Sequence, residues 1–291
     1  MAEGHLIVVR RVVVTGATSQ IGRFLLPRLR ANDFDVVAVS RRPLSAAMAL
    51  AGDGRWLEAD VLDPAFAWPE ADVLVHLAPL RVLPGILPGF FSAGGCRVIC
   101  FGTTSRYSKA ASVDGREQKF ANSQIAAEGK IAVVCSEAGA AWTLFRPTLI
   151  YGCGMDRNVT LISRIVRRFG VFPLFGKAQG LRQPVHADDL AAACVKVIDE
   201  RRSFGKAYDL VGGETLSYRA MVERIFAVQG KAPMFVSIPL GLFRVLMAVV
   251  ALLPRFKDFN AEMARRMNED LVFDSSEAAR DFGYSPRSFE P

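Results

Sequence analysis

The stretch Arg11-Val12-Val13-Val14-Thr15-Gly16-Ala17-Thr18-Ser19-Gln20-Ile21-Gly22 decides the fold. Its β-branched run has no polar alternation, so it reads as a strand buried on both faces. The run stops at Thr15-Gly16, and Ile21, Phe24, Leu25 and Leu29 then recur at helical spacing. Strand, tight turn and helix in that order put free N–H groups and the positive end of a helix dipole where a pyrophosphate can lie. Gly16 allows the sharp turn, and Gly22 lets helix and strand pack closely. The middle glycine of the dinucleotide fingerprint is replaced by Ser19, whose hydroxyl can donate to a phosphate. Gly16, Ser19, Gln20, Ile21 and Gly22 are the candidate cradle. The same residues also fit an ordinary strand-to-helix turn without a nucleotide.

Outward from this turn, strands and helices alternate. Buried strands are expected at 34–43, 55–61, 72–79, 96–103 and 141–147, with a long helix over 120–138. The pattern implies an α/β fold: a Rossmann-type doubly wound parallel sheet, with ligand at the carboxyl ends of its strands. Residues 1–150 form the expected dinucleotide-binding domain. Residues 151–291 form a smaller C-terminal substrate lobe, interleaved with the first and carrying a further strand at 207–211. The second strand ends in Ser40-Arg41-Arg42 instead of an acidic residue. Arg41 and Arg42 can grip a 2′-phosphate, which favours NADP with NAD as the alternative, or they form a solvated pair in a loop.

The 291 residues suffice for a sizeable core, and a hydrophobic share of 51% with 22% charged is ordinary for a globular protein. The formal charge of +7 is spread along the chain, without a basic run interleaved with aromatics, so no nucleic-acid partner is expected. Five scattered cysteines argue for reduced thiols and a cytoplasmic location. Three histidines lack metal-ligand spacing, and Met1–Arg10 does not read as a signal peptide. The apolar stretch 238–253 is too short to span a bilayer and contains Arg244. It reads as a helix with one face buried in the lobe, the alternative being a helix on a membrane surface.

Several motifs in sequence order resemble the extended short-chain dehydrogenase/reductases, the group of NAD(P)-dependent nucleotide-sugar epimerases and dehydratases. They are Thr15-Gly16…Gly22, Asp60-Val61, His76-Leu77-Ala78, Arg146-Pro147-Thr148-Leu149-Ile150-Tyr151-Gly152, Gln183-Pro184-Val185-His186-Ala187-Asp188-Asp189-Leu190 and Asp274…Phe282-Gly283-Tyr284-Ser285-Pro286. The resemblance implies that Asp60 and Val61 flank the adenine and that Leu77, Ala78 and Pro79 line the dinucleotide. It places Pro147 near the nicotinamide and Arg182 to His186 near a cleft for a small-molecule substrate such as a nucleotide sugar. It leaves the oligomeric state open.

The family's catalytic pair is Tyr-x-x-x-Lys on the long helix, where residues four apart share a face and the ammonium lowers the phenol's pKa. With Glu128 fixing the register, the Tyr position holds Phe120 and the Lys position Gln124. Gln124 can still hydrogen-bond a ribose hydroxyl. The Ser/Thr at the end of the fifth strand survives as Thr103, the one retained catalytic candidate, and Tyr107 with Lys109 offers an alternative base. The segment 79–96 is short and rich in Pro and Gly, poor material for the helix that walls the family's cleft.

Overall fold

The structure is a computed structural model and describes residues 10–43, 55–156, 158–238 and 265–291. The apolar stretch 238–253 lies outside the described residues except for Ile238. In chain order the strands are β1 (Arg11–Thr15), β2 (Asp35–Ser40), β3 (Arg55–Glu58), β4 (Val73–His76), β5 (Arg97–Phe101), β6 (Ala141–Pro147), β7 (Ile150–Tyr151), β8 (Phe172–Phe175), β9 (Leu181–Arg182), β10 (Val185–His186), β11 (Lys206–Leu210), β12 (Leu216–Ser217) and β13 (Phe235–Ile238). The helices are α1 (Gln20–Ala31), α2 (Leu83–Ser92), α3 (Ser105–Ser108), α4 (Gly115–Glu137), α5 (Val159–Phe169), α6 (Ala187–Val197), α7 (Tyr218–Val228) and α8 (Ser276–Phe282).

Seven parallel strands form the central sheet in the order β3-β2-β1-β4-β5-β6-β11. The order reverses at β1 and β4, which is where a doubly wound sheet opens a crevice at its carboxyl edge. β1 lies at the centre because both its faces are apolar. Val12 and Val14 pack with Leu25, Leu29, Leu190 and Val197 of α1 and α6. Val13 faces the opposite layer, with Phe90 of α2 and Ile131 of α4. Burying each such side chain contributes about 1.5–3 kcal/mol.

Three features differ from the sequence expectation. The strand near 207–211, expected within the C-terminal half, runs in the central sheet as β11 beside β6. The long helix begins at Gly115, five residues before Phe120, because Asp114 caps it by accepting from Arg116 N at 2.8 Å. The segment 79–96 does form a helix, α2, despite Pro88. Its Leu83, Ile86, Leu87 and Phe90 are buried, and that packing outweighs poor propensity.

Arg97 at the start of β5 is 2% exposed and has no carboxylate partner among the described residues. Its guanidinium donates to the carbonyls of Val197 (2.7 Å) and Ile198 (3.2 Å) at the end of α6, to Thr143 Oγ1 (2.6 Å) and to Ser203 Oγ (3.2 Å). Burial pulls its pKa down to about 10, within the range where it stays charged at neutral pH. A second apolar cluster joins α5 and α7 to the β8–β13 ladder, through Val166, Phe172, Met221 and Phe226.

Candidate active site

The turn after β1 is shaped by two close approaches. Gly16 has φ of +69°, and a Cβ there would lie 2.7 Å from the Ala78 nitrogen and the Leu77 carbonyl carbon. A Cβ on Gly22 would lie 2.1 Å from the Ala17 oxygen. Ser19 is the N-cap of α1, its Oγ accepting from Gly22 N at 3.1 Å. That covers one of the N–H groups a helix start leaves without an intrahelical partner, and its own hydroxyl proton stays free to donate. Gln20 Oε1 is buried without a hydrogen-bond partner among the described residues. A glycine cradle at a helix N-terminus with an orphaned amide oxygen fits a nicotinamide dinucleotide.

Of the expected wall residues, Leu77 and Ala78 lie against this turn at Gly16. Leu77 N donates to the Thr15 carbonyl at 2.9 Å, which carries Leu77, Ala78 and Pro79 past Gly16. Arg41 and Arg42 are exposed just beyond β2, and Asp60 and Val61 follow β3. Arg41 lies 3.9 Å from the Asp60 carboxylate, and Asp60 Oδ1 accepts from Leu62 N at 3.0 Å.

Below the turn, His76 is fully buried. Its Nδ1 is 2.7 Å from the Thr15 hydroxyl, and Nε2 is 3.4 Å from the Pro79 carbonyl. Burial lowers its pKa to about 4 from 6.5. The neutral ring, with its proton on Nε2, suits both contacts. The unfolded chain takes up this proton below pH 6.5 and the folded chain only near pH 4. The contribution is therefore complete above pH 6.5 and is lost as pH falls towards 4, about 3 kcal/mol in all. In His76→Gln, the stability difference between pH 7 and pH 4 measured by urea titration should shrink by about that amount. An unchanged difference would place the sensitivity elsewhere.

A cavity of about 590 Å³ opens at the carboxyl edge, lined among others by Gln20, Thr103, Lys109, Thr148, Arg182 and Arg266. Thr103 Oγ1 accepts from Ser105 N at 3.1 Å, which leaves its hydroxyl proton free. Pro147 is buried behind this wall, its carbonyl accepting from Thr104 N and Thr104 Oγ1, both at 3.2 Å. Arg182 is 5% exposed, its guanidinium donating to the carbonyls of Leu181 at 2.6 Å, Glu269 at 2.7 Å and Arg266. Arg266 itself spans to α4, where Glu117 accepts at 2.7 and 2.8 Å. Arg182 and Gln183 thus reach the cleft as expected, but His186 does not. It caps α6, with Nδ1 accepting from Asp188 N at 3.1 Å, and lines a separate cavity of about 570 Å³.

Phe120 and Gln124 lie on α4 as the register requires. Phe120 is 39% exposed, and Gln124 is buried at 6%. Lys109 Nζ sits over the Phe120 ring, 5.0 Å from its centre, and 3.9 Å from Glu117. Tyr107 turns away from Lys109. Its hydroxyl accepts from Arg146 at 3.0 Å and donates to Asp209 at 3.3 Å, and burial raises its pKa. The Tyr107–Lys109 pairing is therefore not formed. Glu128 is buried at 8% and binds Arg146 through Nε (3.1 Å) and Nη2 (2.7 Å), and also Arg106. The contact of Lys109 with Phe120 and the place of Arg266 escaped sequence reasoning, since no motif links 109 or 266 to position 120. Among the described residues, no group of His, Cys, Asp or Glu could hold a metal ion.

The pattern of the NAD dependent epimerase/dehydratase family matches residues 12–83 and 90–211, and the chain belongs to that family. It is 27% identical over 158 residues to NADH dehydrogenase [ubiquinone] 1 alpha subcomplex subunit 9, mitochondrial, of Arabidopsis thaliana, covering 51% of this chain and 39% of that one. It is 19% identical over 170 residues to UDP-glucose 4-epimerase of Vibrio cholerae, covering 58% and 49%. The alignments thus span less than half of these relatives' length. Among solved structures, MoeE5 in complex with UDP-glucuronic acid and NAD superposes with a TM-score of 0.72, at 19% identity over 96% of this chain and 94% of that one. UDP-glucuronic acid 4-epimerase from Bacillus cereus in complex with NAD gives 0.74, at 17% identity over 96% and 92%.

Proposed function

We propose that this protein binds a nicotinamide dinucleotide along Gly16–Gly22 and a nucleotide-linked sugar in the adjoining cleft, without the family's Tyr/Lys proton transfer. The observation that carries this is the pairing of a cradle that keeps Gly16 and Gly22, with Ser19 in place of the middle glycine, with Phe120 and Gln124 in the catalytic positions. When bound, the dinucleotide supplies a hydride acceptor or donor. The chain's own part is to hold the pyrophosphate at the start of α1, and the adenine between Asp60, Val61 and Leu77–Pro79. Gln124 offers an uncharged amide to the ribose, and Thr103 a hydroxyl to the substrate. Residues 151–291 supply the substrate side through Arg182, Gln183 and Arg266. We place the protein in the cytoplasm, with its five cysteines as free thiols. Among the described residues, no helix is long and apolar enough to cross a membrane.

A thermal shift with NAD, NADP and UDP-glucuronic acid tests this reading. Stabilisation by a dinucleotide is expected, and no response to either NAD or NADP would reject it. We favour NADP, because Arg41 and Arg42 stand where an acidic residue would select NAD. Arg41→Ala with Arg42→Ala should weaken NADP by roughly tenfold and NAD little. Equal losses measured by titration calorimetry would refute the preference. A second reading is a non-catalytic accessory subunit, favoured by the likeness to a NADH dehydrogenase subunit. It is distinguished by retained dinucleotide binding with no turnover on any nucleotide sugar.

A further inference from the structure

The end of the molecule formed by α5, α7 and β13 has apolar stripes that run past its core. On α5, Val159, Ile162 and Val166 are buried, and the next residue in that series, Phe169, is 65% exposed. On α7, Met221, Val222 and Ile225 are buried, and Val228 beyond them is 64% exposed. Along β13, Phe235 faces the core against Phe226, so its neighbours Met234 and Val236 point outward, 59% and 49% exposed. These positions adjoin. Lys231 Nζ donates to the Val166 and Arg167 carbonyls at 2.9 and 2.8 Å, and Phe172 N donates to the Met234 carbonyl at 3.0 Å.

The same face is cationic. Arg164, Arg167 and Arg168 lie on α5 and are exposed, and none has an ion-pair partner among the described residues. The Arg168 guanidinium lies 5.6 Å from the Phe169 ring centre. Neither α5 nor the segment 226–238 contains an acidic residue. The chain leaves the described residues at this face after Ile238, and in sequence 239–257 is apolar with Arg244, Arg255 and Lys257 and no acid. Asp156 and Glu290 share a cavity with Arg164 and Arg167 on one flank. Beyond it, the exposed aromatic and aliphatic side chains beside Arg168, on segments that carry no acidic residue, match the boundary between lipid headgroups and acyl chains. A second copy of this face would meet it with like charge.

We propose that the face carried by Arg164, Arg167, Arg168, Phe169, Met234 and Val236 docks on an anionic lipid bilayer surface without spanning it. Each cation near such a surface strengthens binding several-fold, and salt weakens the attraction. The test is co-sedimentation of the full chain with vesicles of phosphatidylcholine alone, or mixed with phosphatidylglycerol. Binding is expected to the mixed vesicles only, and to fall as salt rises. Arg167→Gln with Arg168→Gln should lower partitioning by roughly 30-fold. Phe169→Ser should lower it further, with the same salt dependence. Thermal unfolding of each variant confirms that it is folded. Three results would overturn the proposal: no binding to phosphatidylglycerol vesicles, binding that these variants leave intact, or a dimer in solution that Phe169→Ser dissociates.

Discussion

Gly22→Ala should lower affinity for a nicotinamide dinucleotide on the order of 100-fold or more and cost about 3 kcal/mol of stability. The added Cβ would lie 2.1 Å from the Ala17 oxygen and 2.8 Å from the Ala17 carbonyl carbon, both backbone atoms of the turn itself. No rotamer change relieves that clash. Either α1 withdraws from the turn or Ala17 swings out, and both spoil the N–H groups aimed at the pyrophosphate. Ser19 is tied to Gly22 through its cap, so the displacement spreads to the residue nearest the phosphate. Calorimetric titration with NAD, beside urea unfolding, measures the two effects. Wild-type affinity in a folded variant would remove the cradle from the account.

The second large effect is a gain. In Phe120→Tyr the added phenol lies beside Lys109, whose ammonium sits 5.0 Å from the present ring centre. A cation at that range lowers a phenol's pKa by about one unit at a partly exposed site. The native tyrosines, Tyr107, Tyr151, Tyr208, Tyr218 and Tyr284, are all raised, chiefly by burial. The new phenol should therefore ionise first, as a separate step in phenolate absorbance below pH 10. Adding Gln124→Lys completes the family pair, and any hydride transfer to a nucleotide sugar should rise by about 10²–10⁴. If the first step in absorbance stays above pH 10, Lys109 does not face position 120 in solution.

The strands were readable because β1, β2, β4, β5 and β6 are mostly apolar runs long enough to show their burial, and β6 occupies the expected residues 141–147. The Gly16 turn was readable because only glycine suits its backbone. The place of β11 was not, since a five-residue strand carries no mark of which sheet it joins. The start of α4 was missed because Gly115 sits where a helix is not expected, and Asp114 alone signals it. In the site, Phe120 and Gln124 came from register, a property of one helix. The meeting of Lys109 with Phe120, and of Arg266 with Glu117, depends on loops whose paths no local pattern encodes. Ser19 is expected against phosphate, and the structure gives it a second role as the N-cap of α1.

Arg97 has a bearing on how the molecule comes apart. Its charge is held by oxygen atoms from β6, from the last turn of α6 and from Ser203, far along the chain. Loosening any of these strands a guanidinium in a dry interior, so local fraying there gives way to all-or-none opening. Amide exchange along β5, around 197–198 and at 203 should share one slow rate. A chain severed after residue 150 should yield two fragments, neither of which holds its shape alone.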